Sequence, residues 1–106
     1  MTPIVFLPGA EQEMLEAAHY YEFQSPGLGS DYLSEIERAV HSIVTSPQTW
    51  PVLEGDIRRR LLRRFPCGVL YRIDPTEIVI IAIAHLRKKP GYWKNRIQRN
   101  PPETPG

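Results

Sequence analysis

IRRRLLRRFPCGVLYRIDPTEIVIIAIAHLRKKPGYWKNR, residues 57–96, decides how this chain is read. Three strand-like runs lie in it, at 57–65, 69–73 and 77–85. They are separated by Pro66-Cys67-Gly68, read as a tight turn, and by Asp74-Pro75, whose order suits the first two positions of a type I turn. In the first run the odd positions Ile57, Leu61 and Phe65 are expected to meet a covering layer, with Arg58, Arg60 and Arg64 facing water. Arg59 and Arg63 break that alternation. In the second run Val69, Tyr71 and Ile73 share a face. The third run is apolar without interruption, the pattern of a strand covered on both sides and so central in its sheet.

The same forty residues carry eleven lysines and arginines against Asp74 and Glu77, a local charge of +9 in a chain whose total is +1. Residues 1–55 hold eight acids and a single base, Arg38; residues 56–106 hold twelve bases and four acids. Cations set into strands form a folded surface, and such a surface calls for a polyanionic or acidic partner.

Outward from the sheet, residues 3–7 are short, β-branched and apolar and end at Pro8-Gly9, which reads as a strand. From residue 10 to 24 the period changes. Ala10, Met14, Ala17, Ala18 and Tyr21 fall on one helical face, and Ser25-Pro26-Gly27-Leu28-Gly29 ends the helix. A second helix is expected from Ser30 or Asp31, either able to cap it, with Leu33, Ile36, Val40, Ile43 and Val44 as its apolar stripe and Pro47 as its stop. The order β-α-α-β-β-β gives an α+β fold, a helical hairpin packed on a mostly antiparallel four-stranded sheet. Residues 1–98 are read as the domain and 99–106, rich in proline, as a disordered tail.

Length allows one domain with a modest core. The one cysteine, Cys67, cannot form an internal disulfide, no apolar run is long enough for a membrane span, and no signal-peptide pattern opens the sequence, so a reducing, cytoplasmic setting is expected. His19 and His41 have no companions at metal-ligand spacing, and no glycine loop suited to phosphates occurs. No metal and no cofactor is implied.

The segments EAAHYYEFQSPGLGSDYLSEIERAV (16–40), SPQTWP (46–51), IRRRLLRRFPCGVLYRI (57–73) and IAIAHLRKKPGYWKNR (81–96), in this order and spacing, resemble a RelE/ParE-type toxin of a bacterial type II toxin–antitoxin system. The resemblance covers residues 3–96. It implies a small cytoplasmic toxin, a cognate antitoxin partner held in a hetero-oligomer, and one of two targets: mRNA on the ribosome, cleaved as by RelE-like members, or DNA gyrase, poisoned without cleavage of RNA as by ParE-like members. RelE-like nucleases tend to carry an arginine two residues before the Val-Tyr-type pair of the middle strand. Here the pair is Leu70-Tyr71 and Gly68 holds that position, with Arg72 following the pair instead. A degenerate, binding-only member is the third possibility.

Cleavage through a 2′-hydroxyl needs a base, an acid and cations at the phosphate. His85 is the candidate for proton transfer, and Arg64 and Arg87 for bidentate phosphate contact. Each also has a structural reading, His85 as a hydrogen-bonded strand end. Arg58, Arg60, Arg63, Arg72, Lys88, Lys89, Tyr92, Lys94 and Arg96 are read as target- or antitoxin-binding, against the alternative that the arginines only protect a strand edge. Trp93 is read as an anchor of the C-terminal segment on the core. Cys67 lacks a neighbouring base and is not read as a nucleophile.

Overall fold

The computed structural model describes residues 2–97; the tail expected at 99–106 lies outside them. The elements run β1 (Ile4–Phe6), α1 (Pro8–Gln24), α2 (Leu28–Thr45), β2 (Val52–Glu54), β3 (Ile57–Leu61), β4 (Cys67–Ile73) and β5 (Ile78–His85), followed by a 3-10 turn at Lys94–Arg96. One sheet has the order β1-β5-β4-β3-β2, with β1 parallel to β5 and every other pair antiparallel. The α+β hairpin-on-sheet arrangement is therefore the one expected. The sheet has five strands where the sequence suggested four. The missed strand, β2, is three residues long and exposed throughout, so no burial pattern marks it; it exists through pairing with β3, across a register shift.

β5 is covered on both faces, as its unbroken apolar run requires, but the middle of the sheet is β4; β5 lies between β1 and β4, one strand from the edge, and owes its burial to the layers on its two faces. A bulge interrupts its pairing with β4. Leu70 lies opposite Ala82 and Tyr71 opposite Ile80, so Ile81 is the extra residue. The bulge shifts the phase of the strand. Ile78, Ile80 and Ile83 join the helices and Val69, Tyr71 and Phe65 in one core, while Val79, Ile81 and Ala82 share the other face with Ile57, Leu70 and Trp93. Trp93 is thus the anchor expected of it.

α1 begins at Pro8, earlier than the sequence suggested, because proline is well suited to the first helical position, where its ring presets φ and its missing N–H is no loss. α2 begins at Leu28, and neither Ser30 nor Asp31 caps it. The capping acceptor comes from the previous helix: Glu22 Oε2 and Oε1 accept the N–H groups of Gly27 and Gly29 at 2.9 and 3.0 Å. Gly27 turns the chain in the left-handed region, at φ 88°. The buried stripe of α2 is centred on Tyr32, Ile36, Ala39 and Ile43, which leaves Leu33 at its exposed margin.

β3 stops at Leu61, short of the expected 65, and its faces are opposite to those expected. Arg58 pairs with Tyr71 and Arg60 with Val69, so both arginines stand on the helix side; Ile57, Arg59 and Leu61 stand on the other. The reason lies in position. β3 is one strand from the edge, where long arginine stems can run past α2 and keep their guanidinium groups at polar partners. After Leu61 the chain turns, and Leu62 and Phe65 drop into the helix-side core. That turn is held by Glu35 of α2, buried at 6% exposure, whose Oε2 accepts the N–H groups of Arg63 and Arg64. Cys67, expected in a turn, opens β4 instead.

The helices cross closely at Gly29. A Cβ there would lie 2.5 Å from the Ala18 carbonyl oxygen and 2.9 Å from Glu22 Cβ. Gly29→Ala is expected to lower unfolding free energy by about 1–3 kcal/mol through overpacking, measured by urea titration against Ser30→Ala as a neighbouring control; equal stabilities would contradict the close crossing.

Candidate functional site

Two cationic surfaces flank β3. One lies on the face away from the helices. There a pocket of about 180 Å³ is enclosed by β2, the end of β5 and the 86–93 segment, with Arg59, His85, Lys88, Lys89 and Tyr92 in its lining and Leu70 and Trp93 as apolar wall. Gly68 shapes it. A Cβ at residue 68 would meet Arg59 Cγ and Cδ at 3.0 and 3.1 Å, so the bare glycine lets the Arg59 stem cross over β4. Position 68, which lacks an arginine in the sequence, therefore has one lying over it from the adjacent strand.

His85 ends β5 in an exposed position, and its Nδ1 accepts the Arg87 N–H at 3.0 Å. Arg87 is exposed and its side chain has no partner among the described residues. Arg64 sits elsewhere, in the turn after β3, where it lies 3.5 Å from Asp31. It lines the second cationic surface, a groove beside α2, and not the pocket that holds His85. Of the three residues read as catalytic candidates, His85 and Arg87 are neighbours and Arg64 stands apart from them.

Most of the remaining basic residues are engaged within the fold. Arg58 donates to the Trp50 and Gln48 carbonyls at 2.6 and 3.2 Å, fixing the connector between α2 and β2. Tyr71, fully buried, donates its hydroxyl to the Pro47 carbonyl on the same connector. Arg60 donates to Ser42 Oγ at 2.7 Å and stacks over the Trp50 ring at 4.6 Å. Arg72 forms two bonds to Asp74, at 2.7 and 3.1 Å, which raise its already high pKa. Lys94 reaches Glu54 at 2.6 Å and joins the C-terminal segment to β2. Lys88 lies over the Tyr92 ring at 5.2 Å. The side chains of Arg63 and Lys89 make no hydrogen bond or ion pair among the described residues; neither do those of Arg59, a member of the arginine run 58–64, and Arg38, to which the sequence assigned no role. Arg38 carried one signal, as the sole base among residues 1–55. Arg59 carried another, as a break in strand alternation.

Tyr92 and Arg96 converge on Glu13 of α1. Glu13 accepts the Tyr92 hydroxyl at 2.6 Å, two guanidinium bonds from Arg96 at 2.8 and 2.9 Å, and the Ile83 N–H at 3.0 Å. Arg96 also donates to the Ile81 carbonyl at 3.1 Å, and Gly9, lacking a Cβ, makes room for its guanidinium group. Burial pushes the Glu13 carboxyl up, but the bonds from Arg96, Tyr92 and Ile83 outweigh it and hold the pKa below the ordinary 4.5. Tyr92 is raised, by burial and by the same carboxylate. Cys67 is 4% exposed, and burial pushes its thiol up to about 11. No group of three or more His, Cys, Asp or Glu that could hold a metal occurs among the described residues, and none of their helices is long and apolar enough to cross a membrane.

Compared with known proteins, residues 4–90 match the family model described as ParE toxin of the type II toxin–antitoxin system parDE. Among solved structures, the chain is similar to one from the chromosomal ParDE toxin–antitoxin system of P. aeruginosa, with TM-score 0.60 and 17% identity over 81% of this chain and 97% of that one. That likeness is one of fold. No curated protein matches the chain.

Two outcomes are expected from this geometry. Because the folded Glu13 pKa is lowered, its contribution is complete above the unfolded value and is lost as pH falls through the folded one. Glu13→Gln should therefore cost about 1–3 kcal/mol at neutral pH and should flatten the acid limb of the stability curve below 4.5, read from urea midpoints across pH; an acid limb of unchanged slope would count against the cluster. Cys67 should resist iodoacetamide in the native protein and react at an ordinary rate in denaturant, and equal rates by mass spectrometry would place it at the surface.

Proposed function

The chain belongs to the ParE toxin family of type II toxin–antitoxin systems, and from that premise we propose that it arrests growth by binding DNA gyrase without cutting RNA and is neutralised by a cognate antitoxin in a hetero-oligomer. The observation that carries this reading is the distance of Arg64 from the adjacent His85 and Arg87. Arg64 lines the groove beside α2, which neither His85 nor Arg87 enters; His85 lines the pocket on the opposite face and a second one against α1. General acid–base cleavage needs its groups within hydrogen-bond reach of one phosphate. Binding needs only an exposed complementary surface, and the 86–93 segment with Arg87, Lys88 and Lys89 supplies one. Tying that segment to α1 and β2 through Glu13 and Glu54 presents those cations on a rigid support.

One observation favours a second reading, cleavage of mRNA on the ribosome. Arg59 crosses Gly68 into the pocket that His85, Lys88 and Lys89 also line, which gathers cations and an imidazole in one place. The two readings separate under induced expression without antitoxin, with mRNA 5′ ends and DNA breaks followed together. DNA breaks with intact mRNA are expected, unaltered in His85→Ala. Codon-phased mRNA cuts that fall by about 10²–10⁴-fold in His85→Ala would overturn the binding reading in favour of the nuclease.

A further inference from the structure

α1 carries apolar side chains outside the face it buries. Leu15, Tyr20 and Phe23 all stand in water, and Phe23, 91% exposed, is the most exposed large apolar side chain among the described residues. A ring left in water is unfavourable, and its burial against a partner favours association. The surroundings of this ring are acidic. Glu16, seven residues earlier, shares its helical row, and Glu22 precedes it in the chain; both are exposed.

The opposite face of the molecule holds the complement. The pocket of about 180 Å³ there has Leu53, Leu86 and Trp93 in its apolar wall and Arg59, Lys88 and Lys89 around them. Its one carboxylate, Glu54, is taken by Lys94. The volume suits a single aromatic ring, since a cavity of about 150 Å³ accepts benzene. The Arg59 guanidinium, without a partner among the described residues, suits the face of such a ring. α1 lies on one side of the sheet and this pocket on the other, so the Phe23 ring can enter only the pocket of another molecule.

We propose that the chain binds a second copy of itself head to tail, with Phe23 of one copy seated in the pocket lined by Arg59, Leu86 and Trp93 of the next. Glu16 and Glu22 of the first copy then face Lys88 and Lys89 of the second, and the acidic half of one chain meets the basic half of the other. The two patches differ, so a bound copy still offers one of them, and the assembly grows past a pair as concentration rises. The contact covers the 86–93 segment. On the reading of that segment as the target-binding surface, self-association holds the toxin inactive; the contact itself does not rest on that reading.

Sedimentation of the full chain across concentration and salt tests this. The mean mass is expected to rise beyond two copies and to fall when salt is raised. Phe23→Gln and Leu86→Glu, both at exposed positions, should each weaken association by roughly tenfold or more, with thermal unfolding unchanged. An equimolar mixture of the two is the sharper measurement, because the first keeps its pocket and the second its ring. That mixture should form pairs and nothing larger. The Trp93 indole resonance of labelled Phe23→Gln should shift as Leu86→Glu is added, while that of Trp50, which lines a different surface, stays in place. A chain monomeric throughout, an association indifferent to Phe23→Gln, or a mixture that stays monomeric would each overturn the proposal. A monomeric chain whose Phe23→Gln form binds antitoxin less tightly would give the ring to that partner and overturn it too. On induction, Phe23→Gln should arrest growth at least as strongly as the parent chain, and weaker arrest would overturn the inhibitory role of the contact. A self-associating chain that never slows growth would instead overturn the toxin reading and leave the contact standing.

Discussion

The fold depends on what happens at the edge of β5 once β1 has ended. β1 pairs with β5 only from Ile78 to Ile80, and its last bond runs from the Leu7 N–H to the Ile80 carbonyl. Beyond that point β5 has backbone groups without a neighbouring strand, and unpaired groups in a half-buried edge are costly. The Glu13–Arg96 pair takes the place of the missing strand, since its carboxylate accepts the Ile83 N–H and its guanidinium donates to the Ile81 carbonyl. Both side chains are mostly buried, at 17% and 22% exposure, so this is a pair whose hydrogen bonds matter more than its Coulomb term. One contact thus completes the sheet, sets α1 against it and ties down the C-terminal segment.

That arrangement explains how a chain with so uneven a charge distribution folds. The acids of the first half and the bases of the second meet at Glu13 with Arg96, Asp31 with Arg64, and Glu54 with Lys94. Backbone carbonyls of the connector absorb Arg58, and Ser42 absorbs Arg60. The cations left over fall on two surfaces, one on each side of β3. The surface away from the helices carries the 86–93 segment; the one beside α2 carries Arg38 and Arg63. Charge that is already matched stabilises the fold, and charge left unmatched is available to a partner.

Much of this was legible along the chain. The two helices, the burial of β5 on both faces and the anchoring of Trp93 all follow from periodicity and apolar runs. β2 was not, because three exposed residues carry no pattern. The faces of β3 were read in reverse, because alternation assumes that arginine points to water, whereas a stem near a sheet edge can lie across the protein and place only its tip at a polar group. Gly68 gave the largest difference. As a position in a string it marks an absent arginine; in the sheet its bare Cα is what admits Arg59 from the next strand.

The sequence by itself determined the class of the fold, the order of its helices and its main strands, and the concentration of positive charge in the second half, since these depend on local periodicity and composition. Only the tertiary structure decided which of those charges remain available. Whether an arginine is a ligand for a partner or a strut within the fold depends on what lies within about 3 Å of its guanidinium, and those neighbours come from residues as far apart as Glu13 and Arg96, or Ser42 and Arg60, whose meeting no local pattern records.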